Sequence, residues 1–394
     1  MEKKKIGKKQ VAIVVSIFVL AILASAQTAL STTDDETSAA DEYPALSALV
    51  GADNIAVGNL LGWRVGEMAK ENLYFEKYDP NVLAMTDAGF AIVGGKAGGK
   101  TTEQCVDGVI ASTGCTVGRG NLLLIHRSKT SSLWFAFYNN ATGESLYFVV
   151  NESVFGMSIE EFEALPDEEV FTTISNYSPG RIAPIWAKGV PYEFLKAAEF
   201  HNHVCPGLTS GYYLIKYLDE NLPLQSSRDK YEIIGCPPWC KDDALQVIFD
   251  KTVGKRFVAM HLTSEDRAKL PSGTAGIYIR WNGTTNTGHG LVLAFNWSKV
   301  TELCGKVSKF EKAVCMMDYL DQPEMFVSTV HEFDLSNSAE LSALKYAGNN
   351  PYVELGLLPD PALANLVGPE KIVVDNLLGW HAAEIAKQEW GFEK

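Results

Sequence analysis

Apolar residues recur at helical spacing from Leu60 to Leu73, a strand-like run follows at Val82 to Met85, and a turn and helix are predicted around Asp107 to Ala111. Leu122 to His126, Leu133 to Tyr138 and Leu146 to Val150 read as strands, the last two joined by the hairpin-forming Asn139-Asn140-Ala141-Thr142-Gly143. The same order returns downstream. A helix is predicted over Gly207 to Leu218, a strand over Tyr231 to Gly235 and a helix over Asp242 to Phe249. Strands follow at Phe257 to Leu262, Gly276 to Trp281 and Leu291 to Phe295, with Asn282 to Gly290 as the second hairpin loop. Phe162 to Phe171 lies where Met317 to Phe326 lies in the later passage. A tandem duplication accounts for this, and it predicts one strand order shared by residues 50–180 and 195–335.

A closer repeat joins the ends of the folded part. Pro44 to Lys77 matches Pro361 to Lys394 without a gap, sharing Pro-Ala-Leu, Asn-Leu-Leu-Gly-Trp and a final Phe-Glu-Lys. The later copy reads as an amphipathic helix that caps the core through Leu377, Leu378 and Ile385, or that fills the groove of a neighbouring subunit in a homo-oligomer. The expected organisation is a leader over 1–26, a flexible stalk over 27–43, a first domain over 44–185, a second over 186–340 and an extension over 341–394. The 394 residues suit two domains, each large enough to bury a core.

Lys3, Lys4, Lys5, Lys8 and Lys9 precede an apolar run from Val11 to Ala24 and the small residues Ala24-Ser25-Ala26, the pattern of a secretory signal peptide. The run is short for a spanning helix, so cleavage is favoured over anchoring. Either outcome places the protein outside the cytoplasm, secreted or held at the outer face of the membrane by this segment alone. A formal charge of −14 repels phosphates and argues against nucleic-acid partners. Among the seven cysteines, Cys105 with Cys115 and Cys304 with Cys315 are spaced to close short disulfides in an oxidising compartment. Cys205, Cys236 and Cys240 remain, an odd set that points to a reactive thiol or a metal ligand. Asn140, Asn151, Asn176, Asn282 and Asn296 stand in glycosylation sequons.

His201-Asn-His203-Val-Cys205-Pro-Gly207 is the segment richest in candidate chemistry. Read as an extended strand, it turns positions 201, 203 and 205 to one side, where three N/S ligands converge. Pro206 suits the first position of the following helix, so Cys205 would lie at that helix's positive end with its thiolate favoured. Two surface histidines beside a buried structural cysteine are the plainer alternative. Cys240 falls on a strand-to-helix turn after two prolines and is the natural fourth ligand. Cys236 is either a pocket residue or a redox partner of Cys240, and Trp239 reads as a pocket wall. The chain has no Gly-x-Ser-x-Gly, His-Glu-x-x-His, Cys-x-x-Cys-His or phosphate-loop pattern.

His201-x-His203-x-Cys205-Pro206-Gly207 together with Cys240-x-x-Asp243-Ala244-x-Gln246 resembles the FmdE family of formylmethanofuran dehydrogenase components. So does Thr113-Gly114-Cys115-Thr116-Val117-Gly118-Arg119-Gly120-Asn121-Leu122, although this stretch belongs to the first copy. The second copy keeps only Thr252, Gly254 and Lys255 of it, while the first lacks the histidines and carries Cys105 one place out of register before Asp107. The resemblance implies an α+β fold with a largely antiparallel sheet backed by helices in each copy, and a transition metal held by the His/Cys cluster. It transfers no reaction. The expected function is an exported protein binding a transition metal, zinc by the character of its ligands, at His201, His203, Cys205 and Cys240, with chemistry on a small molecule at an open position. The alternatives are a module for a small organic ligand or cofactor, walled by Trp239, Tyr212, Tyr213 and Trp134 beside Cys236 and Asp243, and a surface-assembly protein.

Overall fold

The computed structural model describes residues 42–93, 100–126, 132–346 and 348–359. The leader, most of the stalk and the repeated segment 361–394 lie outside the described residues. Among the described residues, those up to Ala56, with the short helix Pro44–Val50, form one compact unit and those from Val57 form another.

The second unit contains the same succession twice. In the first copy α1 (Val57–Leu73), β1 (Val82–Thr86), α2 (Gln104–Thr113), β2 (Leu122–Leu124), β3 (Trp134–Asn139), β4 (Glu144–Val150) and β5 (Phe171–Ser175) follow in order. Helix α3 (Tyr192–His201) leads into the second copy. There α4 (Pro206–Asn221), β6 (Asp229–Gly235), α5 (Lys241–Ile248), β7 (Val258–Ala259), β8 (Thr274–Asn282), β9 (Thr287–Phe295) and β10 (Val327–Leu335) repeat the series. The sheets are ordered β2-β1-β3-β4-β5 and β7-β6-β8-β9-β10, each with one parallel pair at its edge and antiparallel pairs elsewhere. The strand order is therefore common to both, and each copy is an α+β layer of sheet and helices.

Helix α1 carries glycines on its contact face because α2 approaches too closely for side chains: a Cβ on Gly62 would lie 1.9 Å from the carbonyl oxygen of Cys105. The second copy repeats the device, with a Cβ on Gly211 falling 2.4 Å from the carbonyl oxygen of Lys241. Leu83, Met85, Leu123, Trp134 and Ala136 of the first sheet share one apolar core with Tyr213, Ile233, Tyr278, Leu291 and Phe295 of the second copy. The outer face of the second sheet, with Ile234, Ile277, Ile279 and Val292, packs against Leu344, Tyr352 and Leu358 of the segment that follows β10.

Three expectations are corrected. The strand expected over Phe257 to Leu262 shortens to Val258–Ala259, because Arg256 turns left-handed before it and Thr263 caps the helix Ser264–Lys269 soon after. The loop Asn282 to Gly290 contracts to a turn, since Asn282 pairs with Thr287 and the ladder runs on through Gly288 and Gly290. Both glycines lie under aromatic rings, Trp281 and Phe333, where a Cβ would collide at 2.7 and 2.3 Å. Cys105 and Cys115 do not pair: Cys105 lies inside α2 against α1, whereas the Cys115 thiol points to the Val82 carbonyl oxygen at 3.7 Å. Desolvation raises both thiols, Cys115 to about 11. Cys304 and Cys315 do form the expected disulfide, tying α6 (Trp297–Cys304) to α7 (Lys309–Met316) across a Cα separation of 5.7 Å.

Candidate metal centre

Helices α3, α4 and α5 bring the candidate ligands together, each at a terminus. Helix α3 ends at His201 because Asn202 adopts the left-handed conformation (φ 58°) that terminates helices. Cys205 is the N-cap of α4, extended in backbone, and its sulfur accepts the Leu208 N–H at 3.3 Å while Pro206 opens the helix. Cys240 stands at the start of α5. Its approach is set by Gly207, where a Cβ would lie 2.9 Å from Cys240 Cβ and 3.2 Å from its sulfur. The ligand atoms of His201, Cys205 and Cys240 lie within 4.8 Å of one another, and His201 Nε2 is 3.7 Å from Cys205 Sγ. A tetrahedral zinc with ordinary Zn–N and Zn–S bonds separates such atoms by about 3.6 Å. One imidazole and two thiols in this spacing thus fit a zinc-like ion.

The premise of an extended His-x-His-x-Cys strand is corrected: the segment is a helix end, a left-handed residue and an N-cap. His203 stands beside the cluster rather than in it. Its ring centroid is 4.3 Å from that of His201, and its Nδ1 is engaged by the His201 carbonyl oxygen at 3.1 Å and by Asn202 Oδ1 at 3.2 Å. Asp243 follows Cys240 by three residues in the first turn of α5, and its Oδ2 holds His201 Nδ1 at 2.6 Å, which leaves Nε2 to face the thiols. Gln246 Nε2 donates to the other oxygen of Asp243 at 3.4 Å. The spacing Cys-x-x-Asp-x-x-Gln therefore places a candidate ligand, the group that orients a second candidate, and a brace for that group.

Charge is shared within the cluster. Burial lowers the affinity of His201 for its proton, but Asp243 and Cys240 overcome this and raise it to about 9. A hydrogen bond from Cys240, with the Leu208 and Gly207 N–H groups, outweighs burial and lowers Cys205 to about 6. Cys240 moves the opposite way, up to about 12, because it retains the proton that Cys205 gives up. His203 is lowered by burial and by the neighbouring His201 charge.

The remaining candidates lie around this centre. Cys236 is fully buried in the outer-face core and shares no contact with the cluster that would make it a ligand. Tyr212 is buried, with its hydroxyl donating to Glu193 at 2.8 Å, and Tyr213 and Trp134 are likewise core residues. Trp239 is half-buried, donates Nε1–H to Ser210 at 3.1 Å and lines a cavity of about 430 Å³ with Pro237, Leu262, Arg267 and Trp297. Sequence reasoning passed over Lys241. It is fully buried, ion-paired to Asp242 at 2.5 Å and bonded to the Pro237 carbonyl oxygen at 3.2 Å, while Asp242 accepts the Trp239 N–H at 2.9 Å. These bonds fix the turn that presents Cys240.

In the first copy Gly58 and Gly62 contact Gln104 and Cys105 as Gly207 and Gly211 contact Cys240 and Lys241. Gln104 thus occupies the place of the ligand, and Cys105 falls one position late, inside the helix packing. Cys115 and its motif serve the α2–β2 connection: Asn121 accepts the Thr116 N–H and donates to the Val82 carbonyl oxygen, both at 3.0 Å. The first copy nonetheless borders the centre. The His126 N–H donates to the Glu199 carbonyl oxygen at 3.0 Å and its ring stacks on Phe200, the residue before His201.

Residues 53–173 and 200–318 each match one family model, described as FmdE, Molybdenum formylmethanofuran dehydrogenase operon. No curated protein matches the chain.

Proposed function

From the membership of this chain in the FmdE family, which two matched segments spanning more than half of it show, we propose that it is an exported protein holding one zinc ion through His201, Cys205 and Cys240. The observation that carries the reading is the convergence of one imidazole and two thiols from three helix ends, with Asp243 orienting the imidazole. Three protein ligands leave a fourth position, which at zinc is the place for chemistry or for a ligand. His203, with its ring centroid 4.3 Å from that of His201 and its Nδ1–H committed to the His201 carbonyl, supplies a neutral ring whose Nε2 can accept a proton from a small molecule bound beside the cluster. A metal bound here would supply Lewis-acid activation. The residues of the chain do the rest: Asp243 fixes the imidazole, the Leu208 N–H steadies the Cys205 thiolate, and the buried Lys241–Asp242 pair holds the Cys240 turn.

Export is supported by the leader pattern and by the Cys304–Cys315 disulfide, a bond that persists in oxidising compartments. No helix among the described residues is long and apolar enough to cross a membrane. X-ray absorption at the zinc edge tests the ligand set. The expected shell is two sulfurs near about 2.3 Å, one imidazole nitrogen near about 2.1 Å and one further light atom, unchanged by His203→Ala. A shell that loses a second imidazole in that variant would make His203 the fourth ligand and close the site.

A further inference from the structure

A cavity of about 510 Å³ opens on the outer face of the second sheet, among Lys230, Glu232, Arg256, Val258, Trp281 and residues Ser338 to Tyr346. This face points away from α4 and its ligand cysteine, since Tyr231 and Ile233 enter the core shared with α4 while Lys230, Glu232 and Ile234 face the other way. Its far wall is α8 (Ser338–Lys345), which lies beyond the segments matched by the family. The cavity is therefore walled in part by residues beyond the matched segments.

We propose that this cavity binds a small organic anion with an apolar body, the body lying against Val258, Leu341 and Tyr346 and the anionic group meeting Arg256 and the surrounding lysines. Three observations carry it. Glu232 is 1% exposed at the floor and is paired with Lys230, Lys251 and Lys345, so four buried or bordering groups hold more positive than negative charge in a chain whose total is −14. Arg256 adds a further cation at the mouth, and its guanidinium has no ion-pair partner among the described residues. Arg256 also takes the left-handed backbone (φ 69°) that the first copy gives to Gly120 (φ 68°) at the end of the equivalent turn. The second copy thus carries a cation where the first carries a glycine, at the end of the same turn. The remaining walls are mixed as a ligand cavity requires, with Val258 and Leu341 apolar and Asn286, Ser338 and Ser342 polar. Burial lowers the affinity of Lys345 and Lys251 for their protons, while those lysines hold Glu232 below its usual carboxylate range, so Glu232 is the buried charge that keeps them paired.

The test uses the full chain with 2-naphthoate as probe and 2-naphthamide as its uncharged counterpart, measured by isothermal titration calorimetry. The expected result is saturable binding of one naphthoate, weakened by added salt, with the amide binding at least about tenfold more weakly. Arg256→Gln, at an exposed position, should weaken naphthoate about tenfold. Ser342→Trp should abolish binding by filling the cavity, with circular dichroism and thermal melting of both variants matching the wild type. Cys205→Ser should leave naphthoate binding unchanged, which separates this cavity from the metal centre. No saturable binding, or wild-type binding retained in both Arg256→Gln and Ser342→Trp, overturns the proposal.

Discussion

Asp243 gives the centre its character at the scale of single residues, because one carboxylate both aims His201 and raises its proton affinity. Asp243→Asn should keep the fold and lower zinc affinity about ten- to a hundredfold, measured by competition with a chromophoric chelator. Unchanged affinity would mean that Asp243 does not orient a metal ligand. The two perturbed groups also set a pH dependence in metal-free protein. His201, raised from 6.5 to about 9, contributes stability that is complete below about 6.5 and gone above about 9. Cys205, lowered from 9.0 to about 6, contributes stability that is complete above about 9 and gone below about 6. Between these limits one gain replaces the other, so stability should vary little there from this pair. Thiolate absorbance should rise with a midpoint near 6 and lose that step in Cys205→Ser; a first midpoint near 9 in the wild type would contradict the assignment. Metal binding must displace the protons of both His201 and Cys240, so zinc affinity should rise with pH through about 9 and continue to rise above it.

Helix ends and helix contacts make the site at the scale of elements. Gly211 admits the backbone of α5, and Gly211→Ala should cost about 1–3 kcal/mol and reduce metal affinity by moving Cys240 away from Cys205. A chemical denaturation midpoint and a metal titration on the same sample check both effects. The Cys304–Cys315 bond lies apart from the ligands, so Cys304→Ser with Cys315→Ser should lose about 2–3 kcal/mol of stability and keep the metal. Much of this level was legible in the chain: the helices α1, α2, α4 and α5 and four strands of each copy follow from apolar spacing, and the candidate ligands from their residue types. The local shape of His201 to Cys205 was not, because alternation assumes a strand, whereas the hydrogen bonds of α3 continue to His201 and Asn202 breaks them. Strands β5 and β10 also escaped notice. Most of β5 and half of β10 face solvent, so neither carries the apolar alternation by which a strand is read. The buried Lys241 could not be anticipated either, since a lysine beside an aspartate ordinarily signals a solvated helix face.

The whole molecule joins two copies with different duties. The first sheet gives its inner residues to the same apolar core as the second, so the first copy expressed alone should expose Leu83, Met85, Leu123 and Trp134 and aggregate. Light scattering of residues 44–190 checks this; a soluble monomer with cooperative melting would show the copies to be independent. The first copy still supports the candidate centre, since Leu124 and His126 donate to Glu199 near the end of α3 that carries His201. The central claim is one metal per chain, held by the second copy. It is tested most directly by metal analysis of the untagged protein together with its Cys205→Ser and Cys115→Ser variants. The account predicts about one zinc per chain in the wild type and in Cys115→Ser, and none in Cys205→Ser. A metal-free wild type, or zinc retained in full by Cys205→Ser, would contradict it.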